Sequence, residues 1–222
     1  MNLDQIIQAA SIWILPVLFA VTLHEAAHGY AAKLLGDTTA QMLGRLSLNP
    51  LRHVDLVGTI IVPAALLLMH SPFLFGWAKP VPVNFNNLRH PRRDMALVAA
   101  AGPGANLLMA LGWAIIMKIG VALVMGGLMW AEPMVLMGEA GIIFNLVLMV
   151  LNLLPIPPLD GGRVLAGLVP ARMADVLDRI EPYGMLILII LLITPVLGFI
   201  LYPSVSWLNH IIYGVFGLPS LS

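Results

Sequence analysis

The pentapeptide His24-Glu25-Ala26-Ala27-His28 carries residue types and spacing suited to hydrolytic chemistry. On an α-helix, residues four apart share a face, so two imidazoles converge on one zinc ion while the intervening glutamate reaches a water molecule as general base. H-E-x-x-H also arises by chance in soluble sequences, where it often does nothing. Here it stands inside a long apolar run, and ionisable side chains there are costly unless they are paired or ligating. The spacing therefore points to a metallohydrolase with His24 and His28 as metal ligands and Glu25 as the catalytic base.

Two histidines leave a catalytic zinc short of its usual third protein ligand. The chain has no cysteine, so the missing ligand is a carboxylate or another imidazole, and thiolate catalysis and disulfide scaffolds are excluded. Asp160 and Glu139 are the acidic residues near apolar runs, whereas Glu132 and Asp94 fall at run edges where water reaches them. An aspartate after a helix is ordinarily an exposed turn residue. In Asn152-Leu153-Leu154-Pro155-Ile156-Pro157-Pro158-Leu159-Asp160-Gly161-Gly162, however, the prolines break the helix and the glycines free the backbone, so Asp160 can be aimed sideways into a buried site. Asp160 is the predicted third ligand.

A further polar element is Ala101-Gly102-Pro103-Gly104-Ala105-Asn106. Gly102 and Gly104 read as a packing seam that lets helices approach. Asn106 and Asn152 are candidates for donating to the oxyanion of a substrate carbonyl, or else for hydrogen bonding between helices. Of the other histidines, His53 with Asp55 two residues on is read as structural, and His70, His90 and His210 lie near the ends of apolar runs.

These residues need a membrane scaffold. Of 222 residues, 60% are hydrophobic and 10% charged, against about 25% charged in an average soluble domain. Apolar stretches long enough to cross about 30 Å of hydrocarbon occupy about 6–35, 95–124, 133–155 and 183–202. Two shorter stretches, 54–69 and 205–218, contain Pro63 and Gly214 with Gly217 and suit re-entrant or interfacial segments. Alternation and prolines in Gly76-Trp77-Ala78-Lys79-Pro80-Val81-Pro82-Val83 suggest a small membrane-associated β element. Eleven basic residues balance eleven acidic ones without a basic cluster, so no nucleic-acid partner is expected. If 54–69 does not cross, nearly all Lys and Arg share one face, with Lys118 alone opposite. The positive-inside rule then makes 36–93 and the 160–181 loop cytoplasmic.

Together, His24-Glu25-Ala26-Ala27-His28, the Gly102-Pro103 to Asn106 segment and Asn152 through Asp160-Gly161 resemble the site-2 protease family of intramembrane zinc metalloproteases. Gly44-Arg45-Leu46-Ser47-Leu48-Asn49-Pro50, His53-Val54-Asp55 and 76–83 further resemble its short prokaryotic branch, without a PDZ or CBS module. The resemblance covers nearly the whole chain. It implies an all-α polytopic membrane protein, a single domain over 1–222, built on a three-helix zinc-binding core. The H-E-x-x-H helix would occupy about 6–35, a cytoplasmic or re-entrant region 36–93, the Gly-Pro helix 95–124, and the helix ending in Leu-Asp-Gly 133–162. A C-terminal span at 183–202 and a short apolar segment at 205–218 would complete it. It further implies one Zn²⁺ per chain on His24, His28 and Asp160, transmembrane-helix proteins as substrates and lipid as surroundings. The site would open to the cytoplasm from a prokaryotic cell membrane. The 76–83 stretch would pair with an unwound substrate by β-addition. Competing readings are a zinc-binding membrane transporter and an inactive relative that binds helices without cutting them.

Overall fold

In a computed structural model, residues 3–62, 65, 76 and 78–219 are described. Eight α-helices are found among them: α1 (Leu3–Leu34), α2 (Thr39–Met42), α3 (Pro91–Met125), α4 (Glu132–Asn152), α5 (Asp160–Leu168), α6 (Ala171–Ile180), α7 (Gly184–Ile193) and α8 (Val196–Phe216). Among the described residues, four helical stretches are long and apolar enough to cross a membrane: Ile7–Leu34, Pro91–Met125, Met129–Asn152 and Val196–Phe216.

Helices α1, α3 and α4 form the framework of the site. Along α3, Val98 faces His28 and Asn106 faces His24, so α1 and α3 run antiparallel. Gly138 and Gly141 of α4 meet Met117 and Trp113 of α3, so α4 returns in the direction of α1. A Cβ on Gly138 would fall 2.5 Å from the Met117 Cβ, and one on Gly141 would strike the Trp113 ring. The two glycines therefore set the close approach on which the core of Trp113, Met117, Ile142 and Leu146 is packed.

Helix α4 ends where Pro155, Pro157 and Pro158 withdraw backbone donors. The irregular stretch that follows is held by Leu154 and Leu159 packing with Leu188 of α7 and Leu197 of α8. Gly161 lies against the carbonyls of Leu153 and Leu154, and a Cβ on Gly162 would come within 2.6 Å of the Pro157 nitrogen. The chain is thereby doubled back so that α5 begins at Asp160. At its other end, Arg92 at the start of α3 donates to the Val169 carbonyl at 2.9 Å, satisfying a terminal acceptor of α5.

Two expectations are corrected. The C-terminal span is not 183–202: the chain breaks at Thr194-Pro195 into the ten-residue α7 and the 21-residue α8. Proline lacks a donor and pushes the preceding residue to extended backbone, and Thr194 is extended (φ −102°, ψ 155°). The stretch 205–218 is thus largely the second half of α8. The β element is also absent: no strand occurs among the described residues. Around 76–83, Lys79 donates to the His53 carbonyl and Val81 to a Glu25 side chain, while Pro80 and Pro82 have no N–H to give, so no ladder can form. The stretch 54–69 begins as a π-helical turn at Leu56–Ile61, capped by the Asp55 side chain accepting from Gly58 N–H; most of its remainder, with His70, lies outside the described residues.

Segment 78–90 folds back over the end of α1. Gly36 (φ +119°) takes a conformation open to glycine and ends the helix. The buried carboxylate of Asp37 then accepts from Thr39, from Asn84 N–H at 2.7 Å and from the Asn87 amide at 3.0 Å. His53 is buried with Nε2 against the Ser47 carbonyl at 2.7 Å, and its own backbone carbonyl accepts the Lys79 N–H at 2.9 Å.

Candidate metal centre

His24 and His28 lie one helical turn apart on α1 with rings edge to face, centroids 4.7 Å apart. Their Nε2 atoms are 3.1 Å apart. Asp160 Oδ2 comes to 3.2 Å from His24 Nε2 and 3.4 Å from His28 Nε2. Gly102 of α3 makes room for this: a Cβ there would lie 2.6 Å from Cε1 of both imidazoles and nearer still to His28 Nε2. Gly104 has nothing within 4 Å of where its Cβ would be. The seam predicted from sequence thus splits into one residue that touches the histidines and one that touches nothing.

Protonation decides what these three atoms can hold. His28 Nδ1 lies 2.8 Å from the Val98 carbonyl, which can only accept, so Nδ1 carries a hydrogen and, in the neutral imidazole, Nε2 keeps its lone pair. His24 Nδ1 lies 2.6 Å from Asn106 Oδ1. Asp160 Oδ2 is buried and finds no hydrogen-bond donor. Acceptors crowded together in this way demand a cation, since a buried acceptor without a partner is destabilising. His24, His28 and Asp160 together can hold a metal ion. Two neutral imidazoles and one carboxylate, with one position open, are a donor set suited to catalytic zinc.

Glu25 lines the same cavity of about 230 Å³, together with Pro80, Val81, Asn152 and Arg163. Its Oε2 accepts the Val81 backbone N–H at 2.9 Å. Arg163 stands with Cζ 5.0 Å from the centre of the Phe85 ring, another residue of the lining, and donates to Glu181 at 3.2 Å. Asn152 donates to the Leu148 carbonyl at 2.9 Å. Asn106 is fully buried, does not line the cavity, and spends its amide on His24, Asn145 and Ala20. Glu139, the other candidate carboxylate, lines a separate cavity of about 490 Å³ with Asn209, His210 and Tyr213 of α8. The contacts of Val81, Arg163 and Asn145 went unforeseen in the sequence. Val81 acts through its backbone, which leaves no sequence signal, whereas Asn145 is an amide in the middle of an apolar span and is visible as such.

The model for Peptidase family M50 matches residues 121–195, the part that holds Asp160. YwhC of Bacillus subtilis strain 168, assigned as a zinc metalloprotease, is 36% identical over 203 residues, covering 87% of this chain and 85% of that one. Two proteins named Rip2 carry the same assignment. That of Mycolicibacterium smegmatis is 29% identical and that of Mycobacterium tuberculosis strain H37Rv 27% identical, each over 92% of this chain and 73% of theirs. No solved structure matches the chain. Zinc metalloprotease relatives along most of the sequence and a His-His-Asp cluster at the join of three apolar helices agree, and the chain belongs to peptidase family M50, the site-2 proteases.

Proposed function

We propose that this metalloprotease cuts transmembrane-helix proteins at or within the membrane, with His24, His28 and Asp160 as the zinc ligands and Glu25 as the catalytic base. The observation that carries the reading is the shared cavity: the three candidate ligands and the glutamate line one space beside apolar helices. Zinc there supplies Lewis acidity, polarising a peptide carbonyl and easing the ionisation of water.

Glu25 takes a proton from the attacking water and hands it to the leaving amine nitrogen, so that one peptide bond and one water become a carboxylic acid and an amine, which end as carboxylate and ammonium once the acid's proton passes to the amine. Val81 N–H holds Oε2, which leaves Oε1 for the proton. We assign contact with the carbonyl oxygen to Asn152, whose side chain lines the cavity. Asn106 is assigned to holding His24, because its amide is already engaged. A substrate helix must unwind before attack, since its amides are bonded to one another. Segment 78–85, which lines the cavity, supports a role for that segment in receiving the opened chain.

His28 is six residues from the end of α1, about 9 Å at helical rise, so the site is shallow on the side of the Lys33, Arg45 and Arg52 loop. The positive-inside rule favours that side as cytoplasmic, in a prokaryotic cell membrane. The chain then acts as one domain over 1–222. The test is cleavage of single-span model substrates in liposomes by wild type and Glu25→Gln, with zinc measured on both. Cleavage should fall by at least about 10²-fold while zinc is retained. Equal cleavage by both proteins would overturn the assignment of Glu25.

A further inference from the structure

Behind the histidines, away from the cavity, two asparagines are fully buried between apolar helices: Asn106 of α3 and Asn145 of α4. They form a chain of hydrogen bonds whose direction is fixed from its far end. Asn145 Nδ2 donates to the Gly141 carbonyl at 2.8 Å. A carbonyl can only accept, so the Asn145 oxygen is turned the other way, where it accepts Asn106 Nδ2 at 3.0 Å. The Ala20 carbonyl, 3.4 Å from the same nitrogen, holds Asn106 in the same sense. Asn106 Oδ1 is thereby directed at His24 Nδ1, 2.6 Å away, and that nitrogen must be the one bearing hydrogen.

A reversed Asn106 amide would set its oxygen against the oxygens of Asn145 and Ala20. It would also present N–H groups to His24 Nδ1, forcing the imidazole hydrogen onto Nε2, the atom that faces Asp160. His28 needs no such device. Its Nδ1 partner is the Val98 backbone carbonyl, which cannot turn round. His24 relies on a side-chain amide, which can.

We propose that Asn145 is a positioning residue of the metal site: acting through Asn106, it locks His24 in the tautomer whose Nε2 lone pair is free for zinc. The proposal rests on the reading of His24 as a ligand. Partners of this kind, which orient a ligating histidine, typically matter about 10–100-fold in metal affinity.

The test uses the full chain in detergent, with ring-¹⁵N-labelled histidine, stripped of metal and held at alkaline pH where imidazoles are neutral. The His24 signal is identified by its loss in His24→Gln. Zinc affinity is measured separately by competition with a chelating dye. In wild type, His24 should carry its hydrogen on Nδ1. Asn145→Leu should give His24 a mixture of tautomers or the Nε2–H form, leave His28 unchanged, and weaken zinc binding by about 10–100-fold. An Nε2–H His24 in wild type overturns the proposal with no variant needed, so a variant that fails to fold does not shelter it. Weaker zinc binding in Asn145→Leu with the His24 tautomer unchanged also overturns it, as does unchanged affinity. If His24→Gln binds zinc as tightly as wild type, the ligand assignment has failed, and the metal-free tautomer still reports on the relay by itself.

Discussion

The Val81 backbone N–H donates to Glu25 Oε2 at 2.9 Å, so a loop 56 positions away in sequence orients the proposed catalytic base. Glu25 is otherwise a long, half-buried side chain lining the cavity. A hydrogen bond to a charged group contributes about 1.5–3 kcal/mol. Val81→Pro deletes the donor and should lower kcat on a model substrate by roughly tenfold or more, with zinc content unchanged. Val81→Ala retains the donor and should behave as wild type. Loss of zinc in the proline variant would show that the loop supports the metal site instead of the base.

The contrast between Gly102 and Gly104 gives a second prediction. Gly102→Ala drives a methyl group into both imidazoles, whereas Gly104→Ala meets open space. Overpacking of this kind costs about 1–3 kcal/mol, a factor of roughly 5 to 150 in zinc affinity. Metal content after dialysis against a chelator should fall in the first variant and hold in the second. Equal retention would mean that α1 and α3 can move apart at no cost.

Much of the candidate site was legible because its parts obey short-range rules. The H-E-x-x-H spacing follows from helical periodicity, and Asp160 stands out because prolines and glycines around it break a helix next to a membrane run. What was not legible depends on long-range partners. The alternation in 76–83 looks like a strand, yet a strand needs a second strand, and here the donors go to His53 and Glu25. Hydropathy favoured 183–202 as a span because it averages over residues, whereas one proline at 195 decides where the helix ends. Asn106 reads equally well as an oxyanion donor or a packing amide until its neighbour Asn145 is seen.

Asp160 and Glu139 were rival carboxylates in the sequence, and they line different cavities. Asp160→Ala should therefore abolish stoichiometric zinc binding and cleavage together. Glu139→Gln should keep its zinc, since Glu139 shares its cavity with α8 and not with the histidines. Metal analysis of the two purified variants decides between them, and zinc loss in Glu139→Gln alone would overturn the ligand assignment.

The Asp37 anchor gives a pH dependence. Burial pushes the Asp37 carboxyl up, but hydrogen bonds from Thr39, Asn87 and Asn84 outweigh it and hold the group below its ordinary value of 3.8. A carboxyl depressed in the folded state contributes stability above its unfolded value and loses that contribution as pH falls through that value toward the folded one. Thermal unfolding of wild type should therefore drop between roughly pH 5 and pH 3 more steeply than that of Asp37→Asn, which has no charge to lose there. At neutral pH the variant should be the less stable by about 1–3 kcal/mol, because an amide nitrogen would then face donors in place of an oxygen. The same anchor ties Asn84 and Asn87 near the Val81 contact, so Asp37→Asn should also lower cleavage at neutral pH while zinc stays bound. Parallel pH profiles for the two proteins would show that the loop is held by its packing on α1 and not by this carboxylate.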